Sequence, residues 1–267
     1  MKQISILGCG WLGLPLAKVL LEQGFSVNGS TTSINKISEF ENLGIHAFLI
    51  SLSAHQTEGD IFAFLENSEI LIIDIPPKLR GAEKENFVNK IAILIPFIEE
   101  SSVKKVLFVS STSVYNDDNS IVTEETKPQP DTESGKQLLE AETLLQSNKN
   151  VQTTVVRFGG LIGEDRHPIK FLAGRNNLEN PDGPINLIHQ KDCIGIILRI
   201  IDKDCWNETF NAVAPFHPTR EEYYTQKAVE LNLALPEFNH DKSSVGKTIL
   251  SEKVEKVLDY NFMITNL

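Results

Sequence analysis

The chain has 267 residues, of which 41% are hydrophobic and 23% are charged, a composition typical of a folded globular protein. Acidic residues outnumber basic ones by 36 to 25, so the formal net charge at pH 7 is -11. Phosphate backbones and anionic lipids repel such a chain unless its basic residues cluster, and we see no such cluster. The sequence therefore argues against nucleic-acid and membrane-surface partners.

The cysteines and the N-terminal segment indicate the compartment. Cys9, Cys193 and Cys205 form no CxxC pair, and their odd number argues against a disulfide framework or a structural zinc site. The apolar N-terminal segment is broken by three glycines and is preceded by only Met1 and Lys2, unlike an export signal. No apolar run elsewhere reaches about 18 residues. We expect a cytoplasmic protein with no membrane span and no bound metal.

The first half of the chain alternates short apolar runs with helical patterns. Apolar runs of four to eight residues that are rich in Ile and Val favour buried strands over fragments of buried helices. Pro96 is predicted to kink or divide one of the helices. The predicted order is strand 3–7, helix 11–23, strand 25–29, helix 35–43, strand 45–50, strand 70–75, helix 82–100, strand 105–110, helix 132–147 and strand 151–158. This order predicts an α/β fold, a doubly wound parallel sheet covered on both faces.

The second half has a different character. Residues 159–184 are rich in glycine and proline and are predicted to form a loop with at most one short helix. Helical patterns follow at 191–201, 219–232 and 251–258. We expect this half to form a small lobe that shares one edge with the sheet domain.

A glycine motif lies between the first predicted strand and the first predicted helix. Gly8, Gly10 and Gly13 form a GxGxxG pattern with Trp11 and Leu12 between the second and third glycines. In a dinucleotide-binding loop, the first glycine allows a tight turn, the second lets the backbone approach a pyrophosphate, and the third allows close helix packing. The N–H groups at the start of the helix then face the phosphates. The motif therefore predicts a dinucleotide site.

The end of the second predicted strand indicates which dinucleotide is preferred. An Asp or Glu there would bind the ribose 2′-hydroxyl of NAD, but the sequence has Ser30, Thr31 and Thr32 instead. Without a carboxylate to repel it, a 2′-phosphate is tolerated, although the nearest cation is Lys36 and no arginine is close. The sequence slightly favours NADP over NAD.

With these motifs, the chain resembles the extended short-chain dehydrogenase/reductase family, of the NAD-dependent epimerase/dehydratase type. The serine-rich segment 110–115, which ends in Val114 and Tyr115, resembles the end of the fifth strand in that family. The similarity continues in segments 157–163 and 185–192, and again at Phe210-Asn211 and Gly246-Lys247. The resemblance implies a Rossmann-type sheet with a small C-terminal substrate lobe, and a homodimer paired through helices near 82–100 and 132–147.

The family resemblance also implies a catalytic tyrosine, which this chain lacks at the expected place. The family uses a tyrosine as proton carrier, a lysine four residues later and a serine that polarises the substrate. The only tyrosines here are Tyr115, Tyr223, Tyr224 and Tyr260. Depending on register, the expected position is Thr132, with Lys136 as the lysine, or Ser134, with Leu138 in place of the lysine. Either hydroxyl has a pKa too high for efficient proton transfer, so the chain is predicted to be an atypical member.

The resemblance and the strand ends together give a set of candidate site residues. The catalytic candidates are Ser111, Lys136 and Tyr115. Substrate contacts are predicted for Ser111, Thr112, Arg166, Arg175 and His189, although for His189 a cap on the following helix is the favoured interpretation. Predicted cofactor contacts are Gly8, Gly10, Trp11, Leu12, Gly13, Ser30, Thr31, Thr32, Ile75, Pro76, Pro77, Ser110, Phe158, Gly159 and Gly160.

Two hypotheses on function remain open. One is an NAD(P)-dependent reductase, epimerase or dehydratase that acts on a carbonyl or nucleotide-sugar-like small molecule without the usual Tyr-Lys pair. The other is a dinucleotide-binding sensor or scaffold that has lost its chemistry. In either case, residues 1–163, with 185–214 returning to them, are predicted to form the dinucleotide-binding domain. Residues 164–184 and 215–267 are predicted to form the substrate lobe.

Overall fold

Seven parallel strands, separated along the chain by helices, form the central sheet of the protein. The structure is a computed structural model that describes residues 2–77 and 85–265. Within these residues the strands are β1 (Gln3–Leu7), β2 (Ser26–Thr31), β3 (His46–Leu49), β4 (Ser51–Leu52), β5 (Thr57–Glu58), β6 (Ser68–Ile73), β7 (Lys105–Ser111), β8 (Ile121–Val122), β9 (Gln152–Phe158), β10 (Gly160–Ile162), β11 (Leu187–His189), β12 (Thr209–Ala212) and β13 (Thr248–Ile249). The order across the large sheet is β3-β2-β1-β6-β7-β9-β12, and every neighbouring pair is parallel. The order reverses beside β1, which is where doubly wound sheets bind their ligands.

Helices cover both faces of this sheet. They are α1 (Gly13–Glu22), α2 (Ile37–Asn42), α3 (Ile61–Leu65), α4 (Phe87–Glu100), α5 (Glu133–Ser147), α6 (Ile169–Leu172), α7 (Gln190–Asp202), α8 (Arg220–Glu230) and α9 (Glu252–Leu258). Leu16 of α1 and Ile196 of α7 belong to one buried apolar cluster, whereas Leu94 of α4 and Leu138 of α5 belong to another. The predicted doubly wound parallel sheet is confirmed.

Several element boundaries differ from the sequence-based prediction. Helix α4 runs without interruption across Pro96, so the expected division of this helix is wrong. Pro96 itself is exposed, and the fully buried side chains of Leu94 and Ile98 hold the two halves against the sheet. The predicted beginning of this helix, at Ala82, lies outside the described residues. The short helix α3 and the two-residue strands were not predicted, because their apolar patterns are too short to show a period.

The second half of the chain adds a small lobe at the carboxyl edge of the sheet. Strand β10 pairs with β11, while Ile169 of α6 and Tyr223 of α8 pack in a third, smaller apolar cluster. The expected boundaries between domain and lobe stay a prediction. None of the helices in 2–77 and 85–265 is both long enough and apolar enough to cross a membrane.

Helix α5 approaches the end of β7 unusually closely. A Cβ atom added to Gly135 would lie 2.2 Å from the carbonyl oxygen of Ser113 and 2.8 Å from Cβ of Pro130. Thr132 caps this helix, and its Oγ1 accepts the N–H of Gly135 at 3.1 Å. The first turn of α5 is therefore pressed against the segment that follows β7, which fixes the position of Ser111.

We expect Gly135→Ala to destabilise the protein by about 1–3 kcal/mol, because the added methyl must displace backbone, an overpacking cost that exceeds the gain in helix propensity. The measurement is the free energy of unfolding in urea. Ser134→Ala, one residue earlier and half-exposed, is the control and should change stability by less than about 0.5 kcal/mol. A Gly135→Ala variant as stable as this control would contradict the close approach.

Candidate functional site

The glycine loop makes a tight turn between β1 and α1. Gly8 has a φ of +105°, and a Cβ there would lie 2.3 Å from the carbonyl oxygen of Asp74, so only glycine fits. The Gly8 N–H donates to Oγ of Ser30 at 2.8 Å, and the Cys9 N–H donates to the Ser30 carbonyl at 2.9 Å. The third glycine, Gly13, allows α1 to pack on the loop, since its Cβ would lie 2.3 Å from the Gly8 carbonyl oxygen. The turn is therefore fastened to β2 and β6.

The middle glycine is different, because it faces open space. No atom lies within 4 Å of a Cβ built on Gly10. The N-cap residue of α1, Leu12, provides no side-chain cap, whereas Asp60, Asn86 and Thr132 cap α3, α4 and α5. The open backbone at Gly10, just before α1, matches the requirement of a pyrophosphate for close approach to the loop.

A cavity of about 460 Å³ extends from this loop along the carboxyl edge of the sheet. Its volume is in the range of small-molecule sites. The predicted cofactor residues Gly8, Gly10, Ser30, Thr31, Thr32, Ile75 and Pro76 all line it, together with Leu7, Cys9, Ser33, Lys36, Ile50, Ser51, Leu52, Asp74, Glu85 and Lys90. The structure thus brings the glycine loop, the end of β2 and the end of β6 together in one site.

Asp74 is a member of this cavity that sequence reasoning missed. It follows β6 directly, and its Oδ2 lies 3.3 Å from the position of a Cβ on Gly13, at the beginning of α1. Burial raises the pKa of Asp74 to about 7, although the N–H of Gly13 and the charge of Arg166 oppose the rise. The signal in the sequence is a carboxylate at the end of an otherwise apolar run, and the apolar pattern assigns this carboxylate to the strand.

Three further charged residues in the cavity were also missed as contacts. Lys90 projects from the first turn of α4, is almost completely buried and forms an ion pair with Glu85. Lys36, mentioned only as the nearest cation, lies in the lining beside Ser33. The residues around Lys90 have the pattern of an ordinary amphipathic helix, so no local sequence signal predicts that Lys90 faces the cavity.

The hydroxyl groups after β2 are partly engaged. Ser30 is buried and its Oγ accepts the Gly8 N–H, so it supports the loop. Oγ1 of Thr31 accepts the N–H of Ser33 at 3.1 Å, which shapes the turn after the strand. Among the lining residues contributed by 30–36, none is a carboxylate and one, Lys36, is a cation.

Trp11 lines a second groove of about 410 Å³, which shares Gly10 with the first cavity. Its indole N–H donates to Asp165 at 2.9 Å, and the guanidinium carbon of Arg166 lies 5.0 Å from its ring centroid. Its carbonyl oxygen accepts from Nε2 of Gln190 at 2.5 Å. The loop after β10 therefore closes over the glycine loop, a contact that local sequence patterns do not encode.

The remaining predicted cofactor contacts lie outside the lining of the cavity. Leu12 and Phe158 are buried in the core, and Ser110 turns towards Glu142. Gly159 and Gly160 pack against the backbone of Asn186, and Gly160 donates its N–H to the Asn186 carbonyl at 2.7 Å. Pro77 also lies outside the lining. These six residues are positioned to support the site through packing, and their contact with a cofactor stays a prediction.

A buried ion-pair network connects β7, α5 and β9. Arg157 forms a forked ion pair with Glu142, with Nη2 at 2.6 Å from Oε2. Oγ of Ser110 donates to Glu142 at 2.5 Å, and Nη1 of Arg157 donates to the phenol oxygen of Tyr115 at 2.6 Å. The Tyr115 hydroxyl donates to Oδ1 of Asn211 at 3.0 Å.

This network limits the ability of Tyr115 to act as a catalytic proton carrier. The side chain of Tyr115 is buried, and its hydroxyl is fully engaged with Arg157 and Asn211. Burial raises the pKa of Tyr115, which makes the phenol a poorer proton carrier near neutral pH. The geometry therefore favours a packing role for Tyr115.

The other two catalytic candidates lie at the surface of the same region. Ser111 is half-buried at the end of β7, where its Oγ accepts the Ser113 N–H at 3.2 Å. Lys136 is exposed on the first turn of α5, four residues after Thr132. Neither residue belongs to the lining of the 460 Å³ cavity.

The predicted substrate contacts are spread over the sheet domain and the lobe. Arg166 is exposed and stacks on Trp11, and Arg175 is exposed after α6. Thr112 is buried in the turn that follows β7. Nδ1 of His189 accepts the Lys191 N–H at 3.1 Å and so caps α7, as the alternative interpretation expected. Burial lowers the pKa of His189, which favours the uncharged ring.

We expect Glu142→Gln to lower the free energy of unfolding by about 3 kcal/mol, because it leaves the buried Arg157 guanidinium without its counter-charge. The matched control is Glu252→Gln, which removes an exposed i,i+4 pair with Lys256 and should leave the stability nearly unchanged. Urea unfolding of both variants is the measurement. Equal losses in the two variants would show that the network is not buried as described.

Comparison with known proteins supports the same fold. No protein-family model matches the chain. The chain superposes on a UDP-glucuronic acid 4-epimerase from Bacillus cereus, solved with UDP-glucuronic acid and NAD, with a TM-score of 0.78 at 16% identity over 98% of this chain and 95% of that one. A short-chain dehydrogenase/reductase superfamily protein from Agrobacterium tumefaciens with bound NAD gives a TM-score of 0.76 at 16% identity, over 98% and 92% of the two chains. The protein therefore has the Rossmann-type fold of these enzymes.

A curated relative is similar over nearly the whole sequence. Protein YeeZ from Escherichia coli strain K12 is 31% identical over 264 residues, which are 98% of this chain and 96% of the relative. The chain belongs to the YeeZ family.

Proposed function

We propose that the 460 Å³ cavity binds a nicotinamide dinucleotide, with the pyrophosphate over Gly10 and the beginning of α1. The observation that carries this proposal is the contrast among the three glycines: Gly8 and Gly13 are filled by backbone, whereas Gly10 is open. A loop needed only for the turn has no reason to keep its middle residue free of neighbours. The NAD bound to the epimerase and the dehydrogenase/reductase of the same fold supports the proposal.

NADP is the slightly favoured form. The turn after β2 offers Thr31, Thr32 and Ser33, and Lys36 faces the same cavity. A 2′-phosphate beside these residues meets hydroxyl donors and one cation, and it meets no carboxylate from this turn.

The bound dinucleotide would supply a hydride acceptor or donor, and the chain would position a carbonyl or nucleotide-sugar-like substrate beside it. Ser111 is proposed to polarise the substrate, and Lys136 to carry positive charge at the same end of the sheet. Arg166 and Arg175 from the lobe are proposed to bind an anionic substrate group. The UDP-glucuronic acid bound by the epimerase of the same fold supports this substrate class.

The second candidate function is a dinucleotide-binding sensor without catalysis. It is favoured by Thr132, whose hydroxyl accepts the Gly135 N–H as a helix cap at the position where the family resemblance expects a proton carrier. The two functions are separated by three assays: NADPH oxidation with small aldehydes, NADP reduction with UDP-glucose and UDP-glucuronic acid, and product analysis of both UDP-sugars, because epimerisation and dehydration regenerate the cofactor. Turnover that Ser111→Ala abolishes supports the enzyme, and dinucleotide binding without turnover of any of these supports the sensor.

Gly10→Ala should abolish most dinucleotide binding while leaving the fold intact. The methyl meets no protein atom but fills the space into which a pyrophosphate must approach, so we expect at least about tenfold weaker binding. Thermal unfolding with and without NAD and NADP measures both properties, since a ligand at 100 times its dissociation constant stabilises by about 2.7 kcal/mol. Gly8→Ala is the matched contrast and should lower stability without ligand. Undiminished ligand stabilisation in Gly10→Ala would refute the proposed site.

Lys36→Gln should weaken NADP binding by about tenfold and NAD binding by less than about twofold, because only NADP carries the 2′-phosphate. Calorimetric titration of the variant and the unaltered protein with both dinucleotides gives the loss of affinity for NADP and for NAD. Lys18→Gln, an exposed lysine on the outer side of α1, is the control and should change neither affinity. Equal losses for NAD and NADP would overturn the preference.

A further inference from the structure

The carboxyl group of Asp74 lies beside the helix end that the proposed function assigns to a pyrophosphate. Asp74 lines the cavity together with Gly8 and Gly10. Its Oδ2 lies against Gly13, whose N–H is among the first donors of α1 and interacts with the carboxylate. The chain therefore already places one potential negative charge where a dianionic group would bind.

The surrounding groups do not neutralise this charge. The thiols that face Asp74 are Cys9 of the glycine loop and Cys193 of α7, and burial raises both their pKa values, that of Cys9 to about 12. Arg166, from the loop after β10, is the cation that acts on Asp74, and it is exposed and stacked on Trp11. The other charged groups of the cavity are Lys36, Lys90 and Glu85, and the last two pair with each other.

A pyrophosphate at this helix end and an ionised Asp74 would repel each other strongly, because both lie in a partly desolvated cavity. We infer that the dinucleotide binds together with one proton, which the Asp74 carboxylate takes up, so that affinity falls as the pH rises above neutral. This inference rests on the proposed function of the cavity.

The fall in affinity with rising pH follows from the linkage between dinucleotide binding and protonation of Asp74. Burial already raises the pKa of the free Asp74 to about 7, and the bound phosphates raise it further. Below pH 7 the carboxyl group is protonated in both states, so affinity is highest there. Between the free and the bound pKa, affinity falls by up to about tenfold per pH unit, and above the bound pKa it is constant again.

Isothermal titration of the full chain with NAD and with NADP, between pH 6.5 and 9, tests the inference. Each titration at pH 8 is repeated in two buffers of different ionisation enthalpy, which gives the number of protons taken up. The 2′-phosphate of NADP, with a pKa near 6, is fully ionised above pH 7 and does not contribute. We expect close to one proton per bound dinucleotide at pH 8, and affinity roughly threefold to tenfold weaker at pH 8 than at pH 7.

Two variants identify the group that titrates. Asp74→Asn should bind with an affinity independent of pH over this range and without proton uptake. Glu85→Gln, which removes the other carboxylate of the cavity, should keep the pH dependence, because the contact with Lys90 holds the pKa of Glu85 below its ordinary value.

The outcomes separate the inference from the proposed function. Binding without proton uptake, or an Asp74→Asn variant that keeps the pH dependence, overturns the inference and leaves the dinucleotide site standing. The absence of binding by either dinucleotide at every pH overturns both. Proton uptake is measured on the unaltered protein, so the test holds even where Asp74→Asn fails to fold.

Discussion

The close packing of Gly8, Gly13 and Asp74 is the constraint on which the rest of the site depends. Cβ atoms at either glycine would lie 2.3 Å from backbone oxygens, those of Asp74 and Gly8 respectively. Strand β1, helix α1 and the end of β6 therefore approach so closely that neither glycine has room for a Cβ atom. Because the Asp74 N–H also donates to the Leu7 carbonyl at 2.9 Å, the two central strands end in register. Gly8 and Gly13 anchor the loop against backbone, and Gly10 between them faces open space.

A second buried contact fixes the other half of the carboxyl edge. The Glu142–Arg157 pair ties α5 to β9, and Gly135 presses the first turn of α5 against the segment after β7. Burying two charges is costly unless all their hydrogen bonds are made, and here Ser110 and Tyr115 complete the network. Ser110 and Tyr115, which lie nearest to the proposed substrate site, are therefore engaged mainly in packing and in this buried network. This explains why a serine-rich segment that resembles an active site buries Ser110 and Thr112 and leaves only Ser111 and Ser113 partly exposed.

The sequence was sufficient to predict the fold but only part of the site. Apolar strands, helices between them and the glycine pattern are local signals, and they predicted the parallel sheet and the loop. The contacts of Trp11 with Asp165 and of Lys90 with Glu85 depend on tertiary packing, so no spacing revealed them. Asp74 was overlooked for a different reason. Its apolar neighbours determine the hydrophobic pattern, and a single carboxylate in an apolar run gives no periodic signal from which a site could be predicted.

An acidic protein that binds a polyanion must concentrate its few favourable charges at one place. With a formal net charge of -11, the long-range field of this chain opposes a dinucleotide, so binding must depend on short-range donors. The backbone N–H groups of the glycine loop, Lys36 and the guanidinium of Arg166 are such donors, and they come from three separate parts of the chain. Asp74 lies among them and acts against them while it is ionised. A proton on that carboxyl group removes the opposing charge and allows the helix end to interact with phosphate alone. The proposed coupling of protonation to binding is the electrostatic consequence of a buried carboxyl group beside a glycine loop that would hold a pyrophosphate.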